Sequence, residues 1–474
     1  MTLKLYNSLS RKVEEFHSIK PGKAGMYTCG PTVYHYPTIG NWRTYVLSDF
    51  LARTLRRFGY SVDFIMNITD VGHLTGDNEG DADRGEDRLE RGARREGKTA
   101  FEIAKIYTDD FLASYKRLNL TKPRLFAHAT DNIDEQIKLV AALEKKGIAY
   151  KTADGDGIYF DTKGFEELTG KSYGELSDID KRKTGARTWV SPAKRNPADF
   201  ALWKFTPSGV RRHMEWESPW GVGFPGWHVE CSAMAMKYLG ESFDIHVGGE
   251  DLKQVHHTNE IAQSEAVTGR RFVNYWVHGA FLLVDGGRMG KSVGNAYTLH
   301  DIRKKGFEPL ALRYLYLTAH YRDPLNFTWE SLEAARNSLN NLRKLFAAFA
   351  KGRESISAEK LSKVDSFRAR FDGALADDLA APRALAVAWE AAKSNIPNHD
   401  KRDLLLSFDA VLGLELASVT SDKAQVTTRI KKLINKREKL RKEGNYKEAD
   451  KLREELKQLG WEVQDKPAVQ NEKS

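Results

Sequence analysis

The chain has 474 residues, 41% hydrophobic and 29% charged, with a formal net charge of +9 and a pI near 9.1. That length suggests two to four domains with sizeable cores. No window reaches the roughly 18 apolar residues a membrane span needs, and Met1 to Phe16 lacks the apolar stretch of a secretory signal. Two cysteines, Cys29 and Cys231, exclude a disulfide framework and fit a reducing cytosol. The positive balance favours a polyanionic partner such as nucleic acid, though only weakly. The expectation is a cytoplasmic protein with no membrane segment.

In chain order, Ala24 to Cys29 reads as a strand that ends at the turn Gly30-Pro31. From Arg43 to Phe58, Val46, Leu47, Phe50, Leu51, Leu55 and Phe58 recur at helical spacing. Ser61 to Ile68 alternates as a strand does, with Val62, Phe64, Met66 and Ile68 on one face. A strand–helix–strand of this length predicts a parallel sheet and an α/β, nucleotide-binding fold. Residues 76–98, dense in Gly, Asp, Glu and Arg, predict an exposed loop. Helices are predicted at 101–118 and 132–146. Residues 150–227 are richer in Pro, Gly and Trp and read as an insertion in the sheet domain. Strands are predicted again at Phe243–Val247 and Ala280–Val284. After Pro309 the pattern predicts an all-α bundle, with helices at 310–321, 332–349 and 374–392. A basic helical pair is predicted from Val426 to Gln464, broken near Gly444-Asn445.

Three constellations carry chemistry. Thr38-Ile-Gly40-Asn41 leads into the helix at Arg43, where a glycine and a helix N-terminus admit phosphate. Arg288-Met-Gly290-Lys291-Ser is a basic, glycine-rich loop that can fold over a triphosphate. Thr298 and Asp301 just beyond it fit a capping box. His256 and Glu260 share a helix face at i,i+4, while His257 reaches Glu260 at i,i+3, so spacing alone does not choose the histidine. Cys29 and Cys231 with one of these imidazoles and the Glu260 carboxylate make a four-ligand zinc set.

The ordered set Tyr27-Thr-Cys-Gly-Pro-Thr-Val-Tyr34, Asn67-Ile-Thr-Asp70, Gly226-Trp-His-Val-Glu-Cys-Ser-Ala-Met234, Phe243-Asp-Ile-His246, His256-His-Thr-Asn-Glu-Ile-Ala-Gln263 and the Lys291 loop closely resembles the bacterial cysteinyl-tRNA synthetases. These are class I aminoacyl-tRNA synthetases, and the match runs along nearly the whole chain. The resemblance implies a Rossmann-like catalytic domain at 1–308 with an insertion at about 120–225. It implies a stem-contact and helical-bundle tRNA-binding region at 309–420 and an anticodon-binding hairpin at 421–474. It implies zinc on Cys29, Cys231, His256 and Glu260, with Gly30, Thr69, Trp227 and His246 around the substrate cysteine. It implies ATP, with its Mg2+, at Gly40, Gly248, Gly249, Asp251, Arg288 and Lys291. Thr38, Asn41 and Lys291 would be catalytic, and Trp461 would contact tRNA(Cys). The partners implied are L-cysteine, ATP and tRNA(Cys), and a monomer is expected.

Two positions depart from the family pattern. Thr38 stands where the HIGH signature has its first His, and Gly290 replaces a Ser of the KMSKS signature, whose first Lys is Arg288 here. Thr38 cannot carry positive charge, and Gly290 loosens the loop. The alternatives are a cysteine ligase with a small-molecule acceptor, resembling the mycothiol-pathway paralogue, and a non-catalytic RNA-binding paralogue. The long helical C-terminus argues against the first; the complete ligand set and Lys291 argue against the second.

Overall fold

The structure is a computed structural model and describes residues 1–72, 87–177, 194–207, 209–290, 293–349, 356–417, 433–441, 443 and 445–458. Five parallel strands form the central sheet: β1 (Lys23–Thr28), β2 (Ser61–Ile68), β3 (Leu125–His128), β4 (Phe243–Gly249) and β5 (Val273–Gly279). Their order is β5-β4-β1-β2-β3. The chain runs outward from β1 through β2 to β3, then returns to the other side of β1. That reversal opens a crevice at the carboxyl ends of β1 and β4, where α/β sheets of this Rossmann type bind ligands.

Alternation along the strands sorts side chains to two faces. Met26, Phe64, Ile245 and Val277 pack under α1 (Ile39–Arg57), which buries Trp42, Val46, Phe50 and Leu51. Tyr27, Ile65 and Trp276 point the other way, towards α2 (Trp227–Leu239) and α3 (His256–Thr268) with Val229 and Ile261. Both faces are covered, as a parallel sheet requires.

Between β3 and α2 lies a four-stranded antiparallel sheet of Ala149–Lys151, Gly157–Phe160, Phe200–Phe205 and Gly223–Pro225. Its Phe160 and Trp203 join the core under α2 and α3. The strand predicted at Ala280–Val284 is present as Leu282–Val284, but in a separate small sheet with Gly287–Arg288 and Leu325–Phe327. Asp285 and Gly286 turn that hairpin with φ of 50° and 76°, the positive values that a tight two-residue turn demands.

Beyond β5, apart from that small sheet, the regular elements among the described residues are helices: Leu299–Lys304, Pro309–Leu317, Trp329–Ala348, Ala358–Ala376, Ala381–Lys393 and Asn398–Leu412. Residues 433–441 and Tyr446–Gln458 are helical as well; the rest of the predicted C-terminal pair lies outside the described residues. Two sequence expectations are corrected. Part of the loop expected at 76–98 is a helix, Arg88–Glu96, started by the Asp87 carboxylate on the amides of Leu89 and Glu90 and stopped by Gly97 at φ 62°. The single helix expected at 374–392 is two, broken where Asp378 and Leu379 take φ of 52° and 56°.

The helical half is fixed to the sheet domain by arginines. Arg313 is fully buried against Asp49 of α1 at 2.6 Å and donates to the carbonyls of Leu118 and Leu412. Arg53 holds Asp49 and the Ala410 carbonyl, and Arg57 pairs with Asp372 and Ser407.

Candidate active site

Cys29 follows β1 directly, and its amide donates to the Val247 carbonyl of β4 at 3.1 Å, so its thiol sits at the crevice. Cys231 lies on the second turn of α2, and His256 and Glu260 lie on the first two turns of α3. The two helices pack side by side, with Ser232 donating to the Glu260 carbonyl and Gln263 donating to the His228 carbonyl. The predicted quartet is therefore assembled: the ligand atoms of Cys29, Cys231, His256 and Glu260 all lie within 4.8 Å of one another, and all four residues are buried. The two sulfurs are 4.0 Å apart, and His256 Nε2 is 3.0 Å from Glu260 Oε1. A tetrahedral zinc with thiolate bonds near 2.3 Å needs its sulfurs about 3.8 Å apart, so the donor set fits that ion.

The electrostatics point the same way. Burial raises the Cys29 thiol well above its ordinary range. Cys231, hydrogen-bonded to the Cys29 thiol and close to His256, is lowered to about 7. Burial also opposes ionisation of Glu260, but His246 and His256 outweigh it and hold the carboxyl at about 2. Burial likewise opposes the His256 imidazolium, yet Glu260 and Cys231 raise it to about 10. Without a metal, the pocket thus pairs the Glu260 carboxylate and the readily ionised Cys231 with a protonated His256, and a bound cation would take the place of the protons on Cys29 and His256.

A second set, Cys29, His246, His257 and Glu260, meets within the same span. His257 Nε2 is 3.4 Å from the Cys29 sulfur, while its Nδ1 is 2.7 Å from His278 Nε2. His246 Nε2 sits 2.9 Å from Glu260 Oε2, leaving Oε1 towards His256. Register across the sheet places Tyr27, His246 and Trp276 side by side, and the His246 ring stacks on Trp276 at 4.6 Å. Burial lowers His257 well below its ordinary value and His278 to about 3, so both are neutral imidazoles.

The other predicted residues surround this cluster. The Gly30 amide donates to Asn67 Oδ1 at 2.7 Å, and Asn67 Nδ2 donates to Thr69 Oγ1 at 2.9 Å. A Cβ at Gly30 would overlap the Asn67 carbonyl, so only glycine fits. Trp227 packs on His256 with ring centres 4.3 Å apart. At the end of β4, a Cβ on Gly248 would overlap His257, and one on Gly249 would overlap Asp251. Burial raises the Asp251 carboxyl, opposed in part by His256 and Arg288.

Gly40 stands in the first turn of α1, and Met289 lies so close that a Cβ on Gly40 would overlap its methyl. The segments Thr38–Asn41 and Arg288–Gly290 are therefore in contact. Thr298 and Asp301 form the predicted capping box. Lys291 and Trp461 lie outside the described residues. Sequence reasoning missed Tyr27, Asn67, His228, Trp276 and His278. Trp276 and His278 sit in a strand, Val273–Gly279, that was not predicted; Asn67 and His228 sit inside the quoted motifs and were passed over.

Residues 15–337 match the family model for the class I (C) tRNA synthetase catalytic domain. Residues 424–471 match the cysteinyl-tRNA ligase anticodon-binding domain. The cysteine–tRNA ligase 1 of Burkholderia lata is 47% identical, over 99% of this chain and 96% of the relative. That of Treponema denticola is 43% identical over 98% of both. A Mycobacterium tuberculosis methionyl-tRNA synthetase solved with methionyl-adenylate shares the fold, with a TM-score of 0.56 at 16% identity over 83% of this chain and 90% of that one. No helix among the described residues is long and apolar enough to cross a membrane. With a catalytic-domain match over more than half of its length and full-length relatives at these identities, the chain belongs to the cysteine–tRNA ligase family of class I aminoacyl-tRNA synthetases.

Proposed function

We propose that the chain activates L-cysteine with ATP to cysteinyl-adenylate and transfers it to tRNA(Cys), with zinc selecting the substrate by its sulfur. The observation that carries this reading is the buried quartet at the sheet's switch point, ringed by Gly30, Thr69, Trp227 and His246. Cys29, Cys231, His256 and Glu260 hold the zinc. When bound, it supplies a soft Lewis acid that prefers a thiolate to the harder, less acidic hydroxyl of serine. A site built on so specific a bond rejects the analogue by about 10⁴ or more, without an editing domain.

The protein's own residues do the rest by positioning. The cysteine carboxylate is already anionic and attacks the α-phosphorus in line, so no side chain needs to be made nucleophilic. Gly248, Gly249 and Asp251 lie along the adenosine. The first turn of α1 at Gly40 approaches the phosphates with its backbone. Arg288 and Lys291 stabilise the charge on the departing pyrophosphate, and Mg2+ enters with ATP. The terminal adenosine of tRNA then attacks the adenylate carbonyl and releases AMP.

The anticodon-domain match at 424–471 includes Trp461 and supports tRNA as acceptor over a small molecule. We assign catalysis to 1–308, the stem-contact and bundle region to 309–420, and anticodon contact to 421–474. The test pairs charging of tRNA(Cys) by the full chain with charging by a chain ended at Asp422. The truncated chain keeps cysteine-dependent pyrophosphate exchange and loses charging. Undiminished charging by the truncated chain overturns the anticodon assignment.

A further inference from the structure

Thr38 and Asn41 are the polar side chains of the first ATP signature. The structure gives them to each other. The Thr38 hydroxyl donates to Asn41 Oδ1 at 2.8 Å, and the Thr38 amide donates to the same oxygen at 2.9 Å. In return the Asn41 amide donates to Thr38 Oγ1 at 3.4 Å. This is a reciprocal capping box on α1. It uses up the one hydrogen the Thr38 hydroxyl can give and both lone-pair directions of Asn41 Oδ1. The side-chain amide hydrogens of Asn41 are the only donors the pair has left over.

The same turn is held by the residues that follow the second signature, by the helix Pro309–Leu317 and by Met289 of the signature itself. Thr38 forms an antiparallel bridge with Thr298. The Ile39 amide donates to the Tyr297 carbonyl at 2.8 Å, and Tyr316 donates its hydroxyl to the Ile39 carbonyl at 2.5 Å. Met289 covers Gly40. Thr298 starts its own helix by the same device, with Asp301 Oδ2 accepting from the Thr298 hydroxyl at 2.7 Å. Asn295 closes the intervening loop, accepting from the Gly290 amide and donating to the Arg288 carbonyl. The helices Ile39–Arg57 and Leu299–Lys304 thus start from one bridged pair of capping threonines.

We propose that Thr38 and Asn41 are positioning residues that act as a single unit. They set the first turn of α1, and with it Gly40, against Met289 in the Arg288–Gly290 segment, and they do not bind the triphosphate as independent ligands. The inference rests on the reading of this crevice as an ATP site, and it replaces the catalytic role expected from sequence for the two residues.

A double-mutant cycle tests it. Thr38→Val, Asn41→Ala and the double variant are compared in cysteine-dependent ATP–pyrophosphate exchange, and in parallel as the dissociation constant for ATP, which needs no turnover. Each single variant is expected to lose about fivefold to tenfold in kcat/KM for ATP, the scale of a lost cap. The double variant should lose no more than the worse single, because both changes break one unit. KM for cysteine stays put, and Thr38→Ser, which keeps the cap, stays within about twofold. Losses that multiply in the double variant, in exchange or in ATP binding, overturn the proposal, as does an equal rise in KM for cysteine. Absence of exchange in the unaltered protein overturns the functional reading instead, and the ATP-binding cycle then still decides this one.

Discussion

Glu260 is fully buried and nevertheless ionised, because His246 and His256 flank its two oxygens. This division of labour assigns a different consequence to each histidine. His256→Ala removes a donor, and bound zinc falls from one per chain towards zero. His246→Ala only frees the carboxylate to swing, and affinity drops about 10- to 100-fold with stoichiometry unchanged. His257→Ala leaves one zinc per chain. Competition against a chromophoric chelator reads all three. Zinc lost from His257→Ala but kept by His256→Ala would mean that the second quartet is the binding one. Cys231→Ala is expected to lose the metal outright, and unchanged zinc content in that variant would remove Cys231 from the ligand set.

At the scale of elements, the carboxyl end of β2 is fastened to that of β3 by Asp70. Its carboxylate lies 2.8 Å from His128 Nδ1 and accepts the Thr130 amide at 2.9 Å. The bond to Asp70 raises the His128 pKa despite burial. A pKa raised in the folded state adds stability that is fully present below the unfolded value near 6.5 and is lost as pH rises through the folded value. Partial exposure of His128 keeps the effect small. An NMR titration should place His128 above 6.5, and Asp70→Asn should return it towards that value; an unchanged titration would contradict the pairing. Much of this region was legible in the sequence: α1 follows from helical spacing of apolar residues and β2 from their alternation, while two thiols, an imidazole and a carboxylate suggest a metal set whose histidine only the family resemblance chose. The strand Val273–Gly279 was hidden because it is buried on both faces and holds Trp276 and His278, so no two-residue period shows. The break at Asp378-Leu379 was hidden because no glycine marks it. Tertiary contacts hold it instead, the Tyr6 amide, Tyr321 and Arg322 all converging on the Asp378 carboxylate.

Across the whole molecule, α1 carries the Gly40–Asn41 turn at one end and the anchor of the helical half along its length. Asp49 and Arg313 are both fully buried, so cutting the pair strands a charge. Arg313→Met is expected to lower unfolding free energy by about 3 kcal/mol, the low end for a broken buried pair because Arg53 still faces Asp49. Asp49→Asn with Arg313→Met should cost less than Arg313→Met alone. Urea unfolding measures both, and an equal loss would show that packing rather than stranded charge sets the cost. The relative placement of sheet and helices was beyond the sequence, since no periodicity reveals that an arginine at 313 meets an aspartate at 49. The central claim, however, concerns the substrate. It is tested most directly by ATP–pyrophosphate exchange on the zinc-loaded full chain with cysteine and with serine. The account predicts exchange with cysteine and a kcat/KM lower by about 10⁴ or more with serine; no exchange with cysteine, or equal exchange with both, would contradict it.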